Sequence, residues 1–462
     1  MKINIKSLMA CAVLALPSVS AFAQNTNSAY FTDGYLFRHE LNPAFGNDKN
    51  YVSMPALGNV NFALRGNIGL SDVLYNVNGK TVTFMHPGVS AGEFLGNIND
   101  KNKLGADIKL EILSAGFKAF GGYNTIGINV RSNLGVTLPG SLLRLAKEGP
   151  SNSTYDISDF NVHSDAYAEL SFGHSRQIND KLRAGAALKV LLGGANLDAE
   201  FKTARLTLGE DAWTAVTNAK VQASVKGLTY EMSETERGPE GEETVHRYVD
   251  GVDVDGTGLN GFGLAVDLGA EYKLNSDWRF SAALLDLGFI SWSNNMVAST
   301  NGERTFTTDV HTFDVDDDAD NSFEREFDRM GEKLADLYEL QDNGDAGSRS
   351  KMLGATLNLG AEYTLPAYRK LTFGLMNSTR IQSKYSWTEF RLSANVAPAK
   401  IFSAGVNVAA GTYGCAFGWI LNFHPTGFNL YLGMDRTFSA LAKQGIPLSS
   451  NASFNLGMNF PF

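Results

Sequence analysis

The sequence is poor in cysteine and lacks long apolar segments beyond its first residues. Only two of the 462 residues are cysteines, and one of them, Cys11, lies in the apolar N-terminal run. A mature chain without that run keeps Cys415 alone and forms no internal disulfide. Beyond the N-terminus, no stretch reaches the roughly 18 consecutive apolar residues that a membrane-spanning helix requires. These shortages exclude a disulfide framework and a helical membrane protein.

Positive charge and catalytic motifs are also scarce. The chain has 39 Lys and Arg against 49 Asp and Glu, for a formal net charge of −10, which argues against nucleic-acid binding. The seven histidines form no HExxH motif or paired metal-ligand spacing, and no serine stands in a GxSxG elbow. We therefore expect no cofactor, no metal site and no enzymatic activity. A hydrolase built from dispersed Ser and His residues is the least favoured of the functions considered.

The first 23 residues have the pattern of a secretory signal peptide. Lys2 and Lys6 precede the apolar run Leu8–Leu16, and Ala21–Ala23 supplies the small residues of a cleavage site. We predict cleavage after Ala23. A lipoprotein anchor at Cys11 is the alternative, but that cysteine lies within the apolar run instead of after it.

Alternation of apolar and polar residues dominates the remaining sequence. In the last twelve residues, Asn451–Phe462, every second residue is apolar and the chain ends on an aromatic. Alternate side chains of a strand point to opposite faces, so such a strand has one apolar and one polar face. About fourteen such segments are predicted, at 59–70, 106–120, 123–135, 162–176, 181–193, 259–273, 278–293, 352–364, 370–385, 387–397, 401–410, 414–423, 427–435 and 452–460. This pattern is typical of an all-β, transmembrane antiparallel barrel.

The predicted connections alternate between short turns and longer segments. The longer ones fall at 71–105, 136–161, 194–258, 294–351 and 436–451. Outer-membrane barrels have short periplasmic turns and long exterior loops, so the final strand is predicted to end in the periplasm. Two further strand-like stretches, 196–206 and 213–226, are assigned to hairpins outside the membrane.

Charged residues on the polar faces are candidates for the barrel lumen. A charge on the lipid face costs about 2–4 kcal/mol at the bilayer midplane, so these side chains are expected to point inward. They either pair and fill the interior or line a wet passage. The candidates are Arg131, Arg183, Lys189, Asp267, Glu271, Glu389 and Arg391.

Three loop motifs each have a functional and a purely structural interpretation. Ser322–Leu340 has apolar residues at three- and four-residue spacing, which predicts an amphipathic helix that either caps the barrel or binds a partner. Gly256–Gly261 matches GxGxxG but enters a strand, so a glycine-rich barrel rim is favoured over a nucleotide site. Asp314–Asp320 resembles the start of a calcium loop without its turn glycine, and a solvated acidic loop is favoured.

Several features together resemble a known family. Asn42-Pro43-Ala44 follows the signal peptide, about fourteen strands follow, Asp286–Trp292 reads DLGFISW, and the C-terminus is aromatic. In this order they resemble the uncharacterised outer-membrane barrels of Bacteroidetes known as DUF5723. Those are similar to the fourteen-stranded FadL/PorV group.

The resemblance implies a function and an organisation for the chain. It implies a signal peptide at 1–23, a lumenal plug at 24–58 with Asn42, Pro43 and Ala44 as a hatch, and an outer-membrane barrel at 59–462. Passive uptake of small hydrophobic or amphipathic compounds is the leading function. The alternative is a PorV-like partner of a secretion or surface complex that binds another protein through its long loops. Expected partners are outer-membrane lipid and the barrel-insertion machinery, with Phe460 and Phe462 as the insertion signal.

Overall fold

Fourteen antiparallel strands close into a barrel in which each strand pairs with the next. A computed structural model describes residues 3–4, 26–149, 154–208, 212–237, 244–256, 258–308, 337, 339–437 and 451–462. The last strand pairs with the first, with Ala452 opposite Leu64 and Leu456 opposite Val60. The strands are β1 (Val60–Gly66), β2 (Lys101–Ala119), β3 (Gly122–Pro139), β4 (Asn161–Gln177), β5 (Leu182–Leu208), β6 (Gly261–Lys273), β7 (Trp278–Trp292), β8 (Ala355–Thr364), β9 (Leu371–Ile381), β10 (Trp387–Ala399), β11 (Phe402–Gly411), β12 (Gly414–Phe423), β13 (Asn429–Met434) and β14 (Ala452–Pro461). Each predicted segment corresponds to one of them, so the predicted all-β barrel is confirmed.

The two ends of the barrel differ in the length of their connections, as the sequence predicts. At one end, two to six residues join each pair of strands, from Phe120-Gly121 between β2 and β3 to 424–428 between β12 and β13. The chain terminus lies at this short-turn end. Most connections at the other, long-loop end are far longer, including 209–260 and 293–354.

The stretches 196–206 and 213–226 pair as an antiparallel hairpin, as predicted, but 196–206 is not a separate strand: it continues β5 toward the long-loop end and forms its upper part. That strand has 27 residues, whereas a membrane-crossing strand needs about 9–11. The upper part keeps its pairing with β4 as far as Glu200 opposite Asn161, and it pairs on its other side with Trp213–Val225. Because these backbone ladders continue without a turn, the wall extends well beyond one membrane thickness at the long-loop end.

Short elements fill the connections. Within the described residues, no helix has the length and apolar character needed to cross a membrane. The helices are α-helical at Leu70–Val73, Ala91–Leu95 and Gly140–Glu148, and 3-10 at Asn27–Ala29, Leu36–Glu40 and Ser383–Tyr385. The short strands are Ile3–Asn4, Tyr51–Ser53, Leu74–Val77, Lys80–Thr83, Thr154–Asp156, Trp213–Val225, Leu228–Arg237, Thr244–Val254, Asn295–Ser299, Arg304–Thr307, Gln341–Asp345 and Arg349–Met352.

The outward face of the wall is apolar. On β6, Phe262 is 55% exposed and Leu268 is 49% exposed, while Asp267 between them is buried inside. Near the short-turn end, the ring of Trp278 lies 4.9 Å from that of Tyr363 and 6.0 Å from that of Phe280. An apolar belt with aromatic residues near its edge is typical of transmembrane β-barrels.

Parts of three sequence predictions fall outside the described residues. These are the signal peptide apart from the short strand Ile3–Asn4, the acidic segment Asp314–Asp320, and the helix Ser322–Leu340 apart from residues 337, 339 and 340. Within that helix segment, Leu337 packs against Ala215 and Phe306 of the extended wall.

The outward face predicts a position-dependent cost for a charge. Leu392, near the middle of β10, is 57% exposed, and Leu274, in a short turn, is 43% exposed. We expect Leu392→Arg to lower the free energy of unfolding in lipid by about 2–4 kcal/mol, and Leu274→Arg by at most about 1 kcal/mol. Urea titrations of the protein folded into lipid vesicles measure both values. Equal costs at the two positions would contradict an outward face immersed in hydrocarbon.

Candidate functional site

The N-terminal segment, residues 26–50, lies inside the barrel at the short-turn half of the lumen. The backbone amides of Asn27 and Ser28 donate to the Asp435 carboxylate beyond β13, at 2.9 and 2.6 Å. The carbonyl of Asp33 accepts from Ser403 Oγ of β11 at 2.6 Å. The carbonyl of Leu41 accepts from Asn358 Nδ2 of β8 at 3.0 Å. Contacts with such separated strands require that the segment crosses the lumen.

Asn42, Pro43 and Ala44 contact the inner wall at β5 to β7. The Asn42 Nδ2 donates to the carbonyls of Ala270 and Ala282, each at 3.2 Å. Its Oδ1 accepts from the Ala44 amide at 2.9 Å, which folds the chain into a tight turn. The side chain is fully buried. This asparagine is therefore a specific attachment point between the segment and the wall.

Two glycines make room for that attachment. A Cβ on Gly185 of β5 would lie 2.2 Å from the Pro43 carbonyl oxygen, and one on Gly269 of β6 would lie 2.0 Å from Asn42 Oδ1. Any side chain at these two positions would push the segment away from the wall.

Aromatic side chains anchor the rest of the segment. Tyr30, Tyr35 and Phe37 are almost fully buried and form one cluster with Tyr51 and Tyr431. The rings of Tyr35 and Tyr431 meet edge to face, with centroids 4.8 Å apart. Burial raises the pKa of Tyr35 well above its usual range, and Glu40 adds to that shift. The phenol is therefore neutral and packs as an apolar group.

His39 and Glu40 bring titratable groups of the segment into the lumen. Burial lowers the pKa of His39, and the negative charge of Glu40 opposes that shift. The imidazole Nδ1 lies 3.1 Å from the Leu36 carbonyl. Glu40 forms an ion pair with Lys109 of β2 at 2.5 Å and accepts from Asn59 Nδ2 at 2.6 Å.

A belt of five charged side chains crosses the inner faces of β3 to β7, one from each strand. Lys189 Nζ lies 2.6 Å from both Asp267 Oδ2 and Asp286 Oδ1. Arg131 Nη1 lies 2.9 Å from both Glu169 Oε2 and Asp286 Oδ1. The ions are buried, so their mutual attraction offsets the desolvation that burial imposes. Three of the predicted lumenal residues, Arg131, Lys189 and Asp267, thus meet in one network.

Sequence reasoning missed two members of this belt. Glu169 lies on β4, two residues from the buried Tyr167. Strict alternation along this strand therefore predicts that Glu169 points inward. Asp286 lies in the apolar run Ala282–Leu287, and a bulge between β6 and β7 turns it inward. Its backbone has a φ of 58°, in the left-handed region, and its amide donates to Asp267 Oδ1 at 2.6 Å. No periodicity reveals such a bulge.

The other predicted residues lie in two separate places. Glu389 and Arg391 form a buried ion pair at 2.5 Å on β10, and Arg436 contacts the same carboxylate. Arg183 and Glu271 lie nearer the short-turn end, where Arg183 donates to Ser175 Oγ at 3.0 Å.

The C-terminal aromatics face outward. Phe460 is 41% exposed and Phe462 is 73% exposed, and the Phe462 amide donates to the Asn50 carbonyl at 2.9 Å. Their side chains are therefore accessible from outside the barrel at its short-turn end.

A cavity separates the N-terminal segment from the charged belt. Its volume is about 50 Å³, which is room for a few water molecules. The segment contributes Pro43 and Phe45, and the wall contributes hydroxyl groups and the belt itself. Its polar lining residues are His39, Glu40, Lys109, Tyr123, Thr125, Arg131, Glu169, Ser171, His174, Ser175, Lys189, Asp267 and Asp286. Such a lining, in a space this small, can hold ordered water.

The first strand of the wall is interrupted. Tyr51–Ser53 pairs with β14 and β2, as does β1, but residues 54–59 between them leave the ladder. The Met54 amide donates to the Met458 carbonyl at 3.0 Å, and the Met458 amide donates to the Leu57 carbonyl at 2.9 Å. The interruption is therefore bridged by isolated hydrogen bonds, and the sequence alternation did not indicate it.

Comparisons with known proteins concern the whole barrel. A family model described as "Family of unknown function (DUF5723)" matches residues 43–435. No match was found among curated proteins.

Solved structures of similar architecture include a toluene transporter of Ralstonia pickettii, TbuX, at 9% identity and a TM-score of 0.39. The alignment covers 91% of each chain. A Pseudomonas aeruginosa FadL homologue is 12% identical at a TM-score of 0.40, covering 96% of this chain and all of that one. The Pseudomonas putida toluene transporter TodX is 10% identical at a TM-score of 0.38, with 95% and 92% covered. At these identities the likeness concerns the fold alone.

The charged belt predicts a large effect from removing its central cation. Lys189→Met leaves Asp267 and Asp286 buried beside each other, so we expect a loss of about 3–5 kcal/mol in the free energy of unfolding. Lys181, in the exposed turn before β5, is the matched control, and Lys181→Met should change stability by less than about 0.5 kcal/mol. Urea unfolding midpoints provide the comparison. Similar midpoints for the two variants would show that the belt does not hold the wall together.

Proposed function

The chain belongs to the DUF5723 family, and we propose that it is a gated channel for the passive uptake of small amphipathic compounds across the outer membrane. One observation carries the proposal. The lumen of a closed barrel is occupied at its short-turn half by a segment that is not part of the wall, and a cavity lies beside it. Displacement of that segment would open a passage without unfolding the barrel.

The segment is held by exchangeable hydrogen bonds together with its buried aromatic rings and the Glu40–Lys109 ion pair, all of which must separate when it is displaced. Its attachments to the inner wall include side-chain hydrogen bonds of Asn42, Asn358, Ser403 and Asp435, each replaceable by water. A neutral hydrogen bond contributes about 0.5–1.5 kcal/mol net and one to a carboxylate such as that of Asp435 about 1.5–3 kcal/mol, so these hydrogen bonds can be released one at a time. The belt ion pairs, by contrast, join wall strands to one another and would stay in place.

The lining favours an amphipathic solute over a purely apolar one. The cavity combines the ring of Phe45 and the side chains of Pro43 and Leu285 with hydroxyl and charged groups. The charged groups of the lining pair with one another, and a solute with a polar group can add hydrogen bonds to them, which a purely apolar solute cannot.

The same proposal assigns an orientation. The short-turn end, with Phe462, lies in the periplasm, and the long loops lie outside the cell. In this scheme residues 1–23 are a signal peptide cleaved after Ala23. The outward Phe460 and Phe462 serve the barrel-insertion machinery.

A second candidate function rests on the tall wall at the long-loop end. The upper part of β5, Trp213–Val225 and the hairpin Leu228–Arg237 with Thr244–Val254 build an ordered platform around a core that includes Val221 and Tyr230. A surface this ordered suits a protein partner. Deletion of Ser322–Leu340 separates the two functions, because loss of a co-purifying partner with normal solute entry would favour the partner role.

Loosening the N-terminal segment should increase solute entry. We expect Asn42→Ala, which removes both hydrogen bonds to the wall, to raise the entry rate of the fluorescent probe N-phenyl-1-naphthylamine several-fold. The probe is neutral and is largely excluded by an intact outer membrane. The measurement uses Gram-negative cells that display equal amounts of each variant.

Asn124→Ala is the matched control. Asn124 also bridges two backbone carbonyls, those of Phe117 and Ala119, but it lies on the wall at β3. We expect entry at the wild-type rate for this variant. If cells with the wild-type and Asn42→Ala proteins admit the probe no faster than cells without the barrel, the uptake proposal is wrong.

A further inference from the structure

A second pocket lies between the N-terminal segment and the short turns. Its volume is about 270 Å³, roughly nine times the 30 Å³ that one molecule occupies in liquid water. It therefore has room for a small organic solute as well as for water. The ends of β4 to β8 and the turns between them supply its lining, which consists of Gln177, Asp180, Lys181, Arg183, Glu271, Lys273, Ser276, Arg279 and Thr364.

Two opposite charges face each other across this pocket without forming an ion pair. Arg183 of β5 lies directly opposite Glu271 of β6 in the ladder between these strands. Each is two residues from a glycine that faces the N-terminal segment, Gly185 or Gly269, so both side chains point inward. Opposite charges at such positions attract each other. Yet among the described ion pairs, Glu271 is joined to Arg279 and none joins it to Arg183.

Arg183 turns toward β4 and the N-terminal segment. Its Nη2 donates to Ser175 Oγ at 3.0 Å. A Cβ on Gly46 would lie 1.9 Å from the same nitrogen, so the guanidinium packs against the backbone of the segment. Its Nε is buried without a hydrogen-bond partner. A guanidinium has five N–H donors, so most of the donors of Arg183 are open to a ligand.

Glu271 turns the other way, toward β7. Its Oε1 lies 3.8 Å from Arg279 Nη1, which is longer than a hydrogen bond. The closer partner of Arg279 is Glu362 of β8, at 2.8 Å. The Glu271 carboxylate therefore keeps acceptor capacity for a donor that enters the pocket.

Further charges of both signs stand at the mouth of the pocket. Asp180, Lys181 and Lys273 are exposed there. In the part of the chain that the structure describes, no ion pair within 4.0 Å involves any of these three side chains. The mouth can therefore attract a solute that carries both signs of charge.

We propose that this pocket binds a small zwitterion of the α-amino acid type, with its carboxylate on Arg183 and its ammonium on Glu271. A guanidinium holds a carboxylate through two parallel N–H···O bonds, and an ammonium donates charge-assisted hydrogen bonds to a carboxylate. Such a ligand bridges the two groups that the wall sets opposite each other. A simple anion fits less well, because Glu271 and Asp180 repel it. The inference does not rest on the uptake function, since the pocket is reached from the short-turn end without displacing the N-terminal segment.

Equilibrium dialysis of the folded protein in detergent tests the proposal, with radiolabelled L-alanine as the probe. We expect saturable binding to the wild type. Arg183→Gln and Glu271→Gln should each bind at least tenfold more weakly, because each substitution removes one charge-assisted interaction and keeps a side chain of similar shape. Equal binding to all three proteins, or no binding to the wild type, overturns the proposal.

Single-charge competitors test whether both charges of the ligand are needed. Acetate carries only the carboxylate and ethylamine only the ammonium, so each should displace labelled alanine far less well than unlabelled alanine does. If either competes as well as alanine, the site recognises one charge and the proposed ligand class is wrong.

Arg369→Gln is the matched control. Arg369 lies at the same end of the barrel, with a side chain that is 53% exposed and paired with Asp277 at 2.8 Å, but it does not line the pocket. This variant should bind alanine as the wild type does. A loss equal to that of Arg183→Gln would show a general effect of charge at this end and contradict a specific site.

Stability separates a binding role from a structural one. Neither Arg183 nor Glu271 has a close ionic partner among the described residues, so their glutamine variants should unfold near the wild-type urea midpoint. Glu271→Gln is the more stringent of the two, because Arg183 also packs against the N-terminal segment. If both variants lose as much stability as Lys189→Met, the two residues are structural and the proposal fails.

Discussion

The requirement that every backbone polar group in a lipid-facing sheet be paired within the sheet controls this structure. Hydrocarbon offers no hydrogen-bond partner, so an open edge in the membrane is costly, and the wall closes β14 onto β1. Closure creates an inside, and the period of two sends every second side chain into it. Charged residues then have only the lumen available to them. The ion pairs from β3 to β7 follow from this confinement, because the inward charges of neighbouring strands lie within reach of one another.

The same period explains how much could be predicted from sequence. A repeat of two residues is a local property, so Leu264, Leu392 and the other outward residues were visible without any knowledge of strand order. The inward positions of Lys189 and Asp267 followed from the same alternation. The inward position of Asp286, the second carboxylate that contacts Lys189, did not follow from it. Asp286 is 97 residues from Lys189 and reaches the lumen only through a bulge. Local patterns place side chains on faces, whereas long-range pairing depends on the register of the closed sheet.

The candidate site shows a similar division. The motif Asn42-Pro43-Ala44 drew attention to the N-terminal segment through resemblance. The features that seat it, Gly185 and Gly269, are two among 47 glycines and have no distinguishing sequence context. Tyr385 was equally inconspicuous, since it lies in a five-residue connection and acts on the opposite wall. The N-terminal segment and Tyr385 each pack against glycines of the wall. Only the folded chain shows which glycines these are.

The balance of interior charge gives the clearest contrast within the lumen. Around the belt, at Glu389 and at Asp198, cations are held against carboxylates, as a low-dielectric interior requires. Arg380 departs from this rule while remaining equally buried. Proteins that break a local rule usually do so at functional positions and compensate elsewhere. Among the described residues its hydrogen bond is to Gln382 Oε1, so the interior holds a cation at this point without a carboxylate to match it.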